Sequence, residues 1–211
     1  MRVGIFGGSF DPPHVGHLLI AQDARDALEL DQLLIIPAAT QPLKLGHSTA
    51  APHRLTMARR CFEGVPRTVV DAVEMERGGL SFMVETVDTV QRRWPLASLH
   101  LLIGEDVVAT LPQWRESERL LAMVRLVILA RTTTSAEVSG RSAEFMQSYT
   151  ALQNFVTLAT RRVEVSSTEI RARVRDGRSI RGFVPDAVAA YIASAGLYVQ
   201  DPNTEAVVER A

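Results

Sequence analysis

Short apolar runs alternate along the chain with longer stretches whose apolar residues recur at helical spacing. Residues 2–6 (RVGIF) form an apolar run ended by two glycines and read as a buried parallel strand. Residues 17–30 (HLLIAQDARDALEL) carry the helical pattern, and residues 33–37 (LLIIP) read as a second buried strand stopped by proline. The alternation continues with a helix over about 52–62, a strand over 68–73 (TVVDAV) and a helix over about 81–94. A strand over 99–103 (LHLLI), helical segments to about 123 and a strand over 125–130 (RLVILA) follow. Residues 132–144 are polar and read as a loop. Residues 163–177 predict a late strand feeding a helix, and 184–198 a helix opened by Pro185 and closed by Gly196. This pattern predicts an α/β fold, a doubly wound parallel sheet covered on both faces. One domain over 1–198 is expected, its C-terminal helical part covering about 167–198. Residues 199–211 lack periodicity and are expected to be a disordered tail.

Composition narrows the picture. Hydrophobic residues make up 46% of the 211, enough for a substantial core. Lys plus Arg (23) nearly balance Asp plus Glu (24), so the basic excess of a nucleic-acid binder is missing. A single cysteine, Cys61, excludes an internal disulfide and fits a reducing compartment. No apolar run approaches the roughly 20 residues that span a bilayer. The chain enters a strand directly from its first residue, without the pattern of a signal peptide. The expectation is a cytoplasmic protein with no membrane partner; oligomeric state is not readable.

The densest chemistry is at residues 7–17, GGSFDPPHVGH, where the first strand should become the first helix. In a doubly wound sheet ligands sit at the carboxyl ends of strands, at the switch in strand order. Gly7 and Gly8 let the backbone turn tightly and approach a bulky anion. Asp11, Pro12 and Pro13 stiffen the loop. Gly16 removes bulk beside His17, and the helix that follows turns its amides and positive dipole end toward the site. His14 and His17, three apart, share one side of that helix start and can donate to phosphate oxygens. A Gly-Gly turn after a strand is by itself only a turn, and a lone histidine is commonly a surface or core residue. The His-Glu-x-x-His pattern of a zinc site is absent, as are the Walker lysine loop and the G-x-G-x-x-G spacing.

The segment GSFDPPHVGH resembles the His-x-Gly-His signature of the nucleotidyltransferase superfamily. Residues 165–171 (VSSTEIR) resemble its second hallmark, a late Ser-Ser-Thr-x-x-Arg segment. Ser167 or Thr168 can cap the helix there, and Arg171 can reach a phosphate with its forked donors. Arg173, Arg175 and Arg178 on the same helix and beyond it read as a solvated cationic face. Four further segments narrow the resemblance to the bacterial nicotinate-nucleotide adenylyltransferases. These are Pro42 to Lys44, residues 76–87 (ERGGLSFMVETV), 101–114 (LLIGEDVVATLPQW) and 183–198. The chain departs from the family pattern at Phe82, where tyrosine is common, at Glu105, where alanine is common, and at Leu43.

The resemblance implies a Rossmann-like fold that joins nicotinate mononucleotide to ATP, giving nicotinate adenine dinucleotide and pyrophosphate. The attacking group is a phosphate monoester, largely ionised at neutral pH because its second pKa is about 6. No activated nucleophile or general base is then needed, which agrees with a chain that has no triad. On this reading His14, His17, Lys44 and Arg171 are catalytic, aligning two polyanions and spreading charge. Gly7, Gly8, Ser9, Phe10, Gly16, Gly104, Asp106, Ser167 and Thr168 bind ATP, Ser9 and Phe10 through amides and Asp106 through ribose hydroxyls. Phe82, Thr86, Leu111, Trp114 and Lys44 bind the mononucleotide. Trp114 is a platform for the pyridine ring, or alternatively a helix tryptophan filling a groove. Backbone amides near Phe82 and Thr86, with the Thr86 hydroxyl, meet the nicotinate carboxylate. Mg²⁺ is expected with ATP, held by phosphates and water rather than by the protein. His47, His53 and His100 read as surface or structural, and Cys61 as a small apolar helix residue. For Arg171 to share a pocket with His14, the strand before VSSTEIR is expected beside the first strand. The rival readings are transfer to nicotinamide mononucleotide or phosphopantetheine, and a nucleotide-binding module without turnover.

Overall fold

The computed structural model describes residues 1–42, 49–130 and 155–199. The strands β1 (Arg2–Gly8), β2 (Gln32–Pro37), β3 (Thr68–Val70), β4 (Ser98–Gly104), β5 (Arg125–Ala130) and β6 (Phe155–Ala159) form one sheet. Their order is β3-β2-β1-β4-β5-β6, and each neighbouring pair is parallel. The helices are α1 (Val15–Ala27), α2 (Ala51–Cys61), α3 (Val73–Arg77), α4 (Met83–Arg93), α5 (Glu105–Val108), α6 (Ser117–Met123), α7 (Ser167–Arg175) and α8 (Asp186–Ser194).

The near-continuous apolar runs follow from burial on both faces, because alternate side chains of a strand point to opposite sides. Val3 and Ile5 of β1, Leu34 and Ile36 of β2, and Leu99, Leu101 and Ile103 of β4 pack on one face. There they meet Val73 of α3, Val84, Val87 and Val90 of α4, and Leu120 and Leu121 of α6. Phe6, Leu33, Ile35, Leu102, Val127 and Leu129 pack on the other face, against Ala21 and Ala24 of α1, Met57 and Cys61 of α2, Ile170 of α7, and Val188 and Ile192 of α8. Each buried aliphatic side chain contributes about 1.5–3 kcal/mol, so the core rests on these two layers. The chain builds outward from β1 through β2 to β3 and then returns to place β4 on β1's other side. The carboxyl ends of β1 and β4, at Gly8 and Gly104, therefore flank the switch in strand order where such sheets hold ligands.

Three expectations need correction. The late strand is Phe155–Ala159, not residues 163–165. As an edge strand with one neighbour it alternates exposed and half-buried positions and lacks the solid apolar run that marks a central strand. Nor does that strand lie beside β1, because β4 and β5 intervene. The chain returns across α1 instead, where Arg161 donates Nε and Nη2 to the two carboxylate oxygens of Asp23 at 2.8 and 2.9 Å. The third strand stops at Val70, and Val73–Arg77 is a short helix where the strand was expected to end. Leu43, Lys44, His47, the loop 132–144 and the tail from residue 200 onward lie outside the described residues.

Candidate active site

The loop after β1 is held from several sides. Phe10 has φ 50°, a left-handed conformation unusual for a bulky residue, and its ring is buried. That ring packs edge-on to Phe6, His17 and Phe62 at centroid distances of 5.8, 5.1 and 6.2 Å. The loop backbone is thus bent over an aromatic anchor, and any ligand contact by Phe10 falls to its main chain. A Cβ on Gly8 would come within 3.2 Å of the same ring. The Ser9 hydroxyl donates to Gln41 Oε1 at 2.8 Å, linking this loop to the one after β2.

At the start of α1 the rings of His14 and His17 lie 3.8 Å apart, tilted by 35°. The His14 amide donates to His17 Nδ1 at 3.2 Å. That bond fixes the tautomer: with Nδ1 accepting, the proton of neutral His17 sits on Nε2, which becomes the donor. A Cβ on Gly16 would lie 3.0 Å from His14 Cε1 and Nδ1, so any larger residue here would push the neighbouring imidazole aside by a few tenths of an ångström.

The far end of the sequence closes on this loop. Arg171 donates Nη1 to the Asp11 carbonyl at 2.7 Å and Nη2 to Thr168 Oγ1 at 3.3 Å. The Ser167 hydroxyl donates to the Pro12 carbonyl at 2.8 Å, and the Tyr198 hydroxyl to Asp11 Oδ1 at 2.7 Å. The cap of α7 is neither Ser167 nor Thr168, as expected from sequence, but Ser166, whose Oγ accepts from the Glu169 amide at 3.1 Å. That frees the next two hydroxyls for the loop and the arginine. Arg173 is not simply solvated: its guanidinium lies 4.4 Å over the Phe183 ring and donates to the Ser179 carbonyl.

The middle of the chain supplies a second wall. Ala39 donates its amide to Ser81 Oγ, and Ser81 its amide to the Thr40 carbonyl, both at 2.8 Å, which seats the turn before α4 on the loop after β2. Phe82, the residue before α4, lies under the Arg115 guanidinium at 4.7 Å. Thr86 differs from expectation. It is fully buried, its amide donates to the Phe82 carbonyl, and its hydroxyl donates to Glu74 Oε1 at 2.7 Å. The hydroxyl expected on the nicotinate carboxylate is thus committed behind the site, where burial raises the Glu74 carboxyl above its ordinary range. Leu111 is likewise fully buried in the core, and its side chain acts as packing beneath Trp114 rather than as a ligand surface. Trp114 is half-buried, its Nε1 donating to Thr110 Oγ1 at 3.0 Å. Asp106 is exposed in the first turn of α5, with Oδ1 over Gly104, where a Cβ would meet it at 2.5 Å.

Of the remaining candidates, His53 bonds the Tyr191 hydroxyl at 2.8 Å, and buried His100 bonds the Ser98 carbonyl at 3.1 Å. Burial pushes the Cys61 thiol up to about 12, so it stays protonated and inert. Arg54 escaped the sequence reading. It is buried on α2 and donates to three backbone carbonyls, those of Thr49, Ser9 and Ala39, at 3.1, 2.9 and 2.7 Å. The available signal was position: Arg54 lies on one helical stripe with Met57, Ala58 and Cys61, all buried. Among the described residues no group of three or more His, Cys, Asp or Glu gathers to hold a metal, and no helix is long and apolar enough to cross a membrane.

Comparison with known proteins places this geometry. The cytidylyltransferase-like family model matches residues 5–173. A Gemmatimonas aurantiaca protein described as a probable nicotinate-nucleotide adenylyltransferase is 64% identical, covering 100% of this chain and 99% of its own. One from Roseiflexus sp. with the same description is 42% identical, covering 93% and 97%. A solved structure of Plasmodium falciparum nicotinic acid mononucleotide adenylyltransferase complexed with NaAD superposes with a TM-score of 0.76. It covers 93% of this chain and 97% of that one, and at 16% identity the likeness speaks to the fold.

Proposed function

We infer the activity from one premise: the chain belongs to the cytidylyltransferase-like family and, within it, to the nicotinate-nucleotide adenylyltransferases. It transfers the adenylyl group of ATP to nicotinate mononucleotide. An ionised phosphate oxygen of the mononucleotide attacks the α-phosphorus, the bond to the bridging oxygen of the β-phosphate breaks, and pyrophosphate leaves. The product is nicotinate adenine dinucleotide.

The supporting observation is the convergence of two donor sets on one loop. His14 and His17 open α1 behind it, and Arg171 grips its Asp11 carbonyl. His17 donates through Nε2 without exchanging a proton, since its Nδ1 is held by the His14 amide. Arg171 is held by a carbonyl and a hydroxyl rather than by a carboxylate, so its charge remains available to the outer phosphates. Lys44, the chain's single lysine, follows β2 in sequence and is the further cation this reading assigns to phosphate. Mg²⁺ enters as part of the MgATP substrate, since the donors offered at the loop are imidazole and guanidinium nitrogens rather than the oxygen ligands a hard metal takes. Gly104 and Asp106, past β4, take the nucleotide ribose. Trp114 and Phe82 flank the pyridine ring, and the Met83 and Val84 amides that open α4, ahead of the Glu85 amide already bonded to the Phe82 carbonyl, meet its carboxylate.

Turnover with ATP and each mononucleotide, followed by pyrophosphate release, tests this. Higher kcat/KM with nicotinate mononucleotide is expected. Equal or higher efficiency with the nicotinamide form would assign the other acceptor, and binding of ATP without release from either would leave a nucleotide-binding module.

A further inference from the structure

We propose that Arg54 is a positioning residue that locks the two substrate-carrying loops into one geometry. The inference rests on the adenylyl-transfer reading above. The Ser9 carbonyl belongs to the loop after β1, which carries the histidine pair. The Ala39 carbonyl belongs to the loop after β2, and Ala39 in turn bonds Ser81 at the turn leading to Phe82 and α4. One guanidinium therefore joins the ATP-phosphate side to the mononucleotide side, with its Nε anchored on the Thr49 carbonyl just before its own helix.

The residue type follows from the task. Arg54 is 1% exposed, and its Nε, Nη1 and Nη2 each donate to a different segment of backbone. Only a planar fork satisfies carbonyls converging from three directions, whereas an ammonium acts as a single point charge. Keeping a cation at this depth is costly. Burial works against the charge, and the nearby carboxyls of Asp11 and Glu74 work for it. An apolar side chain would avoid that cost but leave buried carbonyls without donors. Each of the guanidinium's three nitrogens is tied to backbone at almost no exposure, so it acts on the reaction through the loops and not by touching phosphate.

Arg54→Lys and Arg54→Met test this against the full-length wild type. The Kd of ATP and of nicotinate mononucleotide are measured separately by calorimetry, and kcat with both saturating, at a temperature where thermal melts report a folded variant. Each loop keeps its own ligand contacts, so each separate Kd is expected to stay within about threefold, while loss of mutual alignment lowers kcat about 100-fold. The lysine variant is expected to recover part of that loss, and it carries the test if the methionine variant does not fold. Unchanged kcat in a folded variant would overturn the proposal. So would a loss confined to the Kd of one nucleotide, which would make Arg54 part of a single subsite. Absence of dinucleotide formation by the wild type itself would instead defeat the underlying activity, and that is read before any variant is compared.

Discussion

The His14 imidazole lies against the first turn of α1 because residue 16 has no side chain. A Cβ there would approach the ring to 3.0 Å, closer than ordinary contact allows, while the backbone of Gly16 needs no positive φ. The glycine thus serves the histidine, not the helix. Gly16→Ala should hold or raise the thermal midpoint, since alanine in a helix is favoured over glycine by about 0.5–1 kcal/mol. It should nevertheless lower kcat, because the ring stacked on His17 is displaced. His17→Ala removes the fixed Nε2 donor and should cost a factor of about 100 to 1000 in kcat with the fold intact. Melting curves and kcat measured on both variants check the pair. Full activity in Gly16→Ala would mean that the ring's placement does not matter to catalysis.

At the scale of elements, α7 is what brings the end of the chain to its beginning. Its serine cap, its Ser167 bond to Pro12 and its Arg171 bond to Asp11 all lie within the first two turns. Arg171→Lys keeps the charge but cannot span the Asp11 carbonyl and Thr168 together. The expected result is an intact fold, kcat/KM for ATP lower by about 10- to 100-fold, and mononucleotide binding almost unchanged. An equal fall in mononucleotide affinity would mean that α7 supports the whole site rather than the ATP phosphates. Which elements were legible from sequence follows the same physics. The four central strands are buried on both faces and read as solid apolar runs. β6, on the edge, alternates and was placed several residues too late. The motif at residues 7–17 was legible because glycine, proline and histidine in that order have few structural uses. The exchange of roles among Ser166, Ser167 and Thr168 was not, because adjacent hydroxyls cap equally well until the helix start is known. Arg54 was hidden for a different reason: buried arginine is rare, and only its helical spacing from Met57, Ala58 and Cys61 marks it among the arginines of α2.

At the scale of the whole molecule, among the described residues, buried Arg54, Asp11 and Glu74 lie together at one end of the sheet, among the loops that follow β1 and β2, while buried Arg25 donates to the Pro66 carbonyl ahead of β3. His100 is a buried titratable group toward the other end, early in β4, paired in register with Gly4 and Arg125. Burial lowers its pKa below the ordinary 6.5, and the charges of Arg125 and Arg2 push the same way, against a weaker pull from the Ser98 carbonyl. The unfolded chain therefore takes up a proton near 6.5 that the folded chain refuses. Stability from neutral His100 is complete above that pH and is lost as pH falls toward the lower folded value, at a slope of at most about 1.4 kcal/mol per pH unit. Glu74 acts with the opposite sign. Its raised pKa gives the folded state a proton first, so its contribution is present in acid and fades as pH rises through the raised value. The two partly cancel in a simple pH series, and a single variant separates them. His100→Asn retains a donor for the Ser98 carbonyl but cannot titrate. Between pH 7.5 and 5.5, urea unfolding of wild type should show a larger loss of stability than the variant, with the difference growing toward acid. Parallel pH profiles for the two proteins would show that His100 takes its proton as readily in the fold as in the unfolded chain.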